Sequence, residues 1–588
     1  MIRVLGWSRS VLFSVLNSIA KFVVFLLLLL VLLVIIALAW GDGMPGNMVL
    51  SLDLRDSIAD SANGETGSFI PQPVTVMDLV LALENARKDN RVKGVVVRLG
   101  NGAISLSQAQ ELAPALARLR GAGKFVLAHA SNFNSAGLGD YVAATAAESV
   151  WMQPKGLFAP SGTALGQVFL RGLFDKLEAE PQIAKRSEYK SAADMFMEKT
   201  MTAADREQLS RIAQSSYDSG VAAIAAARRL RPEAVRAALE ASPQFAEEAR
   251  GRRLIDRIGF DDDMMAEATK RAGSGAKTIK MSSYVRSREE PFTAPIALVE
   301  ASGEIRDGTA DDSLLANNTG IASDDLSEAI GQAVKDRNIK AIVLRVDSPG
   351  GSVTASDQIL HAVNKAKAAG KKVVVSMGSV AASGGYYISL SADRIVAQPS
   401  TLTGSIGVLT GKVSVGRTLG LAGVTAEEVS TGKNTLMNSA LRPYTPEQWA
   451  EVNRQAGVIY DDFTAKVAAG RKLSPAQVEA AARGRVWTGA DARAQGLVDE
   501  MGGFWTAARA AARLAGVPED NAKFKVYPRR TSPLSGLRAA LGGLEAAAAT
   551  LGQIRALLGL PGIREAVNTA VSLPQGGVQL RAPDLPRN

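Results

Sequence analysis

Apolar and polar positions along the chain follow three successive patterns. Phe22 to Trp40 reads FVVFLLLLLVLLVIIALAW, 19 residues without a charge. As a helix that run is about 28 Å long, close to the roughly 30 Å hydrocarbon thickness of a bilayer. From Asp78 the pattern changes to an amphipathic helix, a short polar turn and a continuous β-branched strand, DLVLALENARKDNRVKGVVVRL. The same succession returns from Asp325 as DLSEAIGQAVKDRNIKAIVLRV. After Tyr527-Pro528 the chain turns to Ala, Leu, Gly and Arg, which predicts one or two helices from about Leu534 to Leu558. An oligomer-packing helix is the preferred reading of that tail; lying on a membrane or rimming a cavity are the others.

Charges orient the long apolar run. Arg3, Arg9 and Lys21 precede it with no acid among them, and Asp42, Asp53 and Asp56 follow it. The bias of Lys and Arg towards the cytoplasmic side keeps the amino end inside and sends everything after Trp40 across the membrane. Ala37-Leu38-Ala39 resembles a cleavage box. The run is nevertheless longer than the about 7–15 residues of a signal-peptide core, so a retained anchor is preferred. Both readings export the bulk of the chain.

The two amphipathic segments align at a constant offset of 247, with Asp78/Asp325, Leu79/Leu326, Lys88/Lys335, Asp89/Asp336, Lys93/Lys340 and Arg98/Arg345 matched. Further on, LGDYVAATAAESVWMQP from Leu138 matches SGGYYISLSADRIVAQP from Ser383 at an offset of 245. That period is too long for a solenoid unit and marks a domain duplication. Strands expected at Val95–Leu99, Phe125–Ala128, Ala341–Val346 and Lys372–Ser376 alternate with helical stretches. The implied class is α/β, with mainly parallel strands buried on both faces. Ser287 to Pro295 is the expected seam between the halves.

Composition removes several kinds of chemistry. A net charge of +9 over 588 residues is a mild excess, and aromatics are 5%, so no nucleic-acid partner is expected. Zero cysteines exclude disulfides, thiolate metal sites and cysteine nucleophiles. With His129 and His361 the only histidines, a multi-histidine metal site is excluded as well. No metal or other cofactor is expected.

Two segments of the second half could carry chemistry. Strand Ala341–Val346 runs into Asp347-Ser348-Pro349-Gly350-Gly351-Ser352, a glycine turn whose N–H groups can face an oxyanion. The next strand ends in Met377-Gly378-Ser379-Val380-Ala381-Ala382-Ser383-Gly384-Gly385-Tyr386-Tyr387. There small residues surround one serine at a helix start, where the dipole favours developing negative charge. The plainer reading of Ser383 is an N-cap. In the first half Leu138 stands at the Ser383 position, Asp140 at Gly385, and Leu99-Gly100-Asn101-Gly102-Ala103 replaces the turn. Serine and turn are kept together in one copy and lost together in the other, which favours a site. Neither histidine lies near these motifs, and both read as core or surface residues. A base would then be a lysine kept neutral by desolvation. Lys190, in Glu188-Tyr189-Lys190-Ser191-Ala192, and Lys433, in Ser430-Thr431-Gly432-Lys433-Asn434, are the two candidates, against a surface role for each.

At these motifs, together with the Pro399-Ser400-Thr401-Leu402-Thr403-Gly404-Ser405-Ile406-Gly407 segment, the chain resembles the signal peptide peptidase A family in its long two-copy form. The likeness covers about residues 45 to 520 and leaves the tail aside. It implies tandem Clp protease/crotonase-like domains behind one transmembrane helix, and a homo-oligomer, specifically a tetramer. It implies a serine endopeptidase that degrades hydrophobic remnants of cleaved signal peptides on the periplasmic face of the bacterial cytoplasmic membrane. By the same resemblance Ser383 is the nucleophile, Lys190 the general base, and Gly351 and Gly384 the oxyanion donors. Lys433, 50 positions after the serine, is the alternative base. The expected division is 1–21 cytoplasmic, 22–40 anchor, 45–290 the repeat with the lysine, 291–527 the repeat with the serine, and 528–588 tail. A non-catalytic membrane scaffold and a crotonase-like acyl-transfer enzyme are the rival functions.

Overall fold

The computed structural model describes residues 44–60, 74–287, 294–310, 320–519, 522–528 and 579–581, with Lys21 and Phe25 before them. The expected anchor at 22–40, apart from Phe25, and the expected tail helices therefore lie outside the described residues. Among the described residues no helix is long and apolar enough to cross a membrane.

In the first half, β1 (Met48–Asp53), β2 (Val92–Leu99), β3 (Phe125–Ala130) and β4 (Ser149–Met152) form a parallel sheet with β6 (Arg257–Ile258) and β7 (Lys277–Lys280), in the order β6-β4-β3-β2-β1-β7. Between β4 and β6 the strand β5 (Glu180–Arg186) leaves this sheet. Val-rich β2 and fully buried β3 sit in its middle, as strands covered on both faces should. Helices α1 (Val76–Lys88), α2 (Leu106–Gly121), α3 (Gly139–Ala144) and α5 (Ala203–Arg228) share a core with it, and α4 (Arg171–Lys176) lies against β5 instead. Thr75 starts α1 with a capping box, its hydroxyl accepting from the Asp78 N–H at 3.1 Å and the Asp78 carboxylate accepting from the Thr75 N–H at 3.2 Å.

The second half repeats the plan with β8 (Ile296–Ser302), β9 (Ala341–Ser348), β10 (Gly350–Ser352), β11 (Lys372–Ala382), β12 (Arg394–Ala397), β13 (Leu402–Gly404), β14 (Val408–Ser414), β15 (Val486–Thr488), β16 (Glu500–Met501) and β17 (Phe524–Tyr527). Its main sheet runs β15-β13-β11-β9-β8-β17, with β12 bridging β11 and β16. Its helices include α6 (Ser323–Lys335), α7 (Val353–Ala368), α8 (Gly384–Tyr387), α9 (Gly416–Leu421), α10 (Pro446–Arg471) and α11 (Phe504–Ala515).

A third sheet joins the halves. In it β5 of the first half pairs antiparallel with β14 of the second, from Val408 opposite Arg186 to Ser414 opposite Glu180. The hydrophobic core is also shared: Phe504, Ala507, Ala508 and Ala511 of α11 pack in one cluster with Leu79, Leu83 and Leu112. Deep in that contact Glu111 of α2 meets Arg345 of β9, with oxygen–nitrogen distances of 3.2 and 2.7 Å. Neither side chain is more than 3% exposed. Two halves packed this closely can share a site at their junction.

Candidate active site

Ser383 follows directly on β11 and opens α8. Its φ of +55° and ψ of −114° are unusual for a residue with a side chain. Such a backbone costs on the order of 1–3 kcal/mol and persists only where its surroundings impose it. Here the Ser383 N–H donates to the Gly404 carbonyl at 2.8 Å, and the Ser383 carbonyl accepts from the Tyr387 N–H at 2.8 Å. Its side chain makes no capping hydrogen bond, which sets aside the N-cap reading. The dipole argument loses force too, because α8 is four residues long and its end charge correspondingly small.

Lys190 reaches the serine from the other half. It sits just beyond β5, at the start of a 3-10 turn, Ser191–Ala193. Its Nζ lies 2.8 Å from Ser383 Oγ, 3.0 Å from Ser405 Oγ and 3.0 Å from the Ser405 carbonyl oxygen. Lys190, Ser383 and Ser405 are each wholly buried. Burial pushes the Lys190 pKa well below the ordinary lysine range, and no charged neighbour among the described residues contributes. The cause is desolvation of the ammonium form.

Several contacts fix the lysine turn. Gln208 donates to Ser191 Oγ at 3.2 Å and accepts from the Val486 N–H at 2.7 Å, clamping the turn to β15. Gly484, at φ +79°, lies so close that a Cβ there would sit 2.6 Å from Lys190 Cβ. The β5·β14 ladder aims the segment across the junction. Lys433 is exposed and stays out of this cluster. His129 is buried in the first half, its Nε2 3.3 Å from the Gly259 carbonyl oxygen, and His361 is exposed on α7. Neither reaches the serine cluster.

The two glycines named from the sequence come together beside the serine. Gly351 has φ +152°, and a Cβ on it would lie 2.0 Å from the Ile305 carbonyl oxygen. A Cβ on Gly384 would lie 3.1 Å from Gly350 Cα and 3.2 Å from the Gly351 nitrogen. Against this turn lies an unexpected occupant, β18 (Gln579–Arg581) from the tail. It runs antiparallel to β10, with Leu580 opposite Gly351, and also meets β14 at Leu409. The groove between β10 and β14 thus holds an extended backbone.

The first-half copy has been filled in. At the serine position Leu138 has ordinary helical torsions. The Asp140 carboxylate accepts from the Gly100 and Gly102 N–H groups at 2.8 Å each and from the Ile104 N–H at 3.1 Å. Burial raises its pKa, an effect those hydrogen bonds oppose. A side chain of the protein occupies this copy's glycine turn.

Sequence reasoning missed Ser405 as a partner of Lys190, although it stood inside a quoted motif. Glu111 carried no signal, and Arg345 appeared only as a repeat match.

A family model described as Peptidase family S49 matches residues 118–274 and 365–518, one segment in each half. A Clp protease model matches residues 320–403. "Protease 4" of Salmonella typhi is 35% identical over 461 residues, covering 76% of this chain and 72% of that one. "Protease 4" of Haemophilus influenzae is 31% identical over 488 residues, covering 79% and 77%. "Serine protease SPPA, chloroplastic" of Arabidopsis thaliana is 29% identical over 480 residues, covering 80% and 69%. The duplicated Clp-like α/β class expected from the sequence is borne out.

Proposed function

The chain belongs to peptidase family S49, as a serine protease of the long two-copy signal peptide peptidase A form, and we propose that it cuts extended apolar peptides with Ser383 as nucleophile and Lys190 as base. Family membership removes the scaffold and acyl-CoA readings. The observation that carries the proposal is a lysine amine 2.8 Å from a serine hydroxyl, both fully buried, at the junction of the halves.

A neutral amine has two N–H donors and one lone pair. The donors go to the Ser405 carbonyl and hydroxyl oxygens, which leaves the lone pair facing Ser383 Oγ. Lys190 then takes the hydroxyl proton while the oxygen attacks a peptide carbonyl carbon. The carbonyl oxygen gains the negative charge, and N–H groups of Gly351 and Gly384 stabilise it. One such donor is worth about 3–4 kcal/mol of barrier. Lys190 passes its proton to the leaving amine, an acyl-serine remains, and water removes the acyl group by the same route. Ser–Lys pairs are a known variant of this chemistry.

The groove supports this substrate class. The protein's own β18 adds to β10 as an antiparallel strand, the mode by which an extended peptide uses main-chain hydrogen bonds for affinity. A released signal-peptide remnant, unstructured and apolar, can offer such a strand. Phe22–Trp40 would hold the enzyme in the bacterial cytoplasmic membrane, its amino end in the cytoplasm and both halves on the outer face.

Turnover of an unstructured apolar peptide, and labelling of Ser383 by a serine-reactive probe, test the reading. Ser383→Ala abolishes both. Lys190→Ala reduces both by several orders of magnitude, and unimpaired turnover in that variant would overturn the assignment of the base.

A further inference from the structure

The parallel strands of the two main sheets start at one edge, and that edge is basic. Ten segments run from the last turn of a helix to the first residue of the next parallel strand of these sheets. They are 85–92, 118–125, 141–149, 248–257 and 269–277 in the first half, and 332–341, 365–372, 384–394, 491–500 and 512–524 in the second. Together they hold 24 of the 67 Lys and Arg but 11 of the 58 Asp and Glu, a net +13. That leaves 43 cations against 47 acids elsewhere, a net −4. Arg120, Lys270, Lys277, Lys340, Lys365 and Lys372 are all exposed. Cations in the last turn of a helix answer its dipole, an effect that fades beyond that turn. Lys277, Lys340 and Lys372 lie past the helix ends, so the dipole does not account for them.

The two halves present this edge on the same side. Helix α2 runs from the strand ends of the first sheet, after β2, to its strand starts, before β3. It crosses the second sheet in the same sense. Ser107 near its beginning lies 2.8 Å, Oγ to Oγ, from Ser379, whereas Glu111, a turn later, meets Arg345, which the ladder sets level with Ser376. The start of β1 sits on the edge as well: the Met48 N–H donates to the Arg91 carbonyl at 2.9 Å and the Asn47 amide to the Ala272 carbonyl at 2.9 Å. Trp40, the last residue of the proposed anchor, precedes Met48 by eight positions, a reach of at most about 29 Å.

We infer that this edge docks on the anionic phospholipid headgroups of the membrane that holds the anchor. The inference rests on the proposed anchor only for which side faces the bilayer; the charge belongs to the folded halves. Lipid phosphates attract a field of Lys and Arg at short range, and each cation close to the surface adds to the binding. Ser383 follows the far end of the 11-residue β11, so it stands up to about 36 Å above the headgroups. A peptide still embedded in the bilayer cannot reach it, and substrates come from the released pool.

The chain has no cysteine, so a single labelled cysteine reports its own position. Ala122 and Ala369 are exposed at matched places of the edge in the two halves, and Ser131 is exposed at the opposite strand ends. The full chain is reconstituted in vesicles of phosphatidylcholine, with or without phosphatidylglycerol, that carry a headgroup spin label. In phosphatidylglycerol vesicles a dye on A122C or A369C should be quenched and one on S131C should not. Quenching should fall to the S131C level in pure phosphatidylcholine, and at about 1 M NaCl, where charges are screened within about 3 Å. K277E with K340E and K372E should cause the same loss while peptide turnover in detergent is unchanged. Flotation separates the inference from the anchor: a chain that floats only with anionic vesicles keeps the docking and loses the anchor, and one that floats with neither loses both. In floating vesicles, quenching at S131C equal to that at A122C, or quenching that ignores lipid charge, salt and the triple variant, would overturn the inference. No quenching at either alanine would overturn it too and assign the edge to an acidic protein.

Discussion

Arg345→Met is the perturbation whose consequence the packing states most directly. The Arg345 guanidinium is wholly buried, donates to both Glu111 oxygens, and also donates to Ser376 Oγ at 2.9 Å. Burial opposes its charge, but the carboxylates of Glu111, Asp60 and Asp347 overcome that and hold its pKa above the ordinary value. Replacing it with methionine leaves the Glu111 carboxylate, 3% exposed, with the Phe504 N–H at 2.6 Å as its remaining partner. Breaking a buried ion pair from one side costs about 3–5 kcal/mol. Glu111→Leu should cost at least as much, because it strands the guanidinium and also leaves the Phe504 N–H unsatisfied, worth about 1–3 kcal/mol. The double variant removes both charges, so its cost should fall short of the sum of the singles by roughly 3 kcal/mol or more.

Urea denaturation of the full-length protein measures the three free energies, and peptide turnover is followed in parallel. Glu111 lies in the half that supplies Lys190, and Arg345 lies in the half that supplies Ser383. Loosening their contact should lower kcat in each single variant and restore part of it in the double. If Arg345→Met costs under about 1 kcal/mol and leaves kcat intact, α11 packing alone sets the register of the halves and the reasoning fails.

Four other outcomes follow. Because Lys190 must be neutral to accept a proton and burial lowers its pKa, turnover should fall along a single acid limb as pH drops through that lowered value. The same lysine binds its proton more readily when unfolded, so its presence weakens the fold at every pH below the ordinary lysine range; Lys190→Met should raise the urea midpoint at neutral pH while abolishing turnover. Gly351→Ala places a Cβ 2.0 Å from the Ile305 oxygen and should cut kcat by about 10²–10³, whereas Gly331→Ala, with nothing within 4 Å, should leave kinetics unchanged. Leu580→Pro removes an N–H from the strand in the groove and should lower KM for short peptides with little change in kcat; a raised KM would show that β18 assists binding.

Much of the scaffold was legible because duplication leaves a constant offset, which raises a weak periodic pattern to a strong one. The strands expected at Val95–Leu99 and Ala341–Val346 are observed as Val92–Leu99 and Ala341–Ser348. The one expected at Lys372–Ser376 runs on to Ala382, because small residues up to the serine continue the ladder with β13. What could not be read is what depends on distant pairing. Nothing local in Glu180–Arg186 says that its partner is Val408–Ser414 of the other half. Ser405 gave no sign because its role depends on a positive φ of 50° that turns both its oxygens towards Lys190. The choice between Lys190 and Lys433 rested on resemblance, since both stand in turns rich in small or polar residues; burial of one and exposure of the other separates them.

That separation has a physical cause in the duplication. Desolvation lowers a lysine pKa well below its ordinary range only where water is kept away and no acid stands beside the amine to oppose it. A turn at the margin of one α/β half has solvent on at least one side and cannot supply that exclusion alone. The second half provides it: Ser383, Ser405 and Gly484 close over Lys190 as β14 pairs with β5. With Lys190 as the proposed base, its activation is a result of joining the halves, and any force that opens the junction should extinguish the chemistry before it unfolds either half. At the corresponding edge Lys433 is exposed, and the filled-in copy has Leu138 at the serine position and the Asp140 carboxylate in its glycine turn.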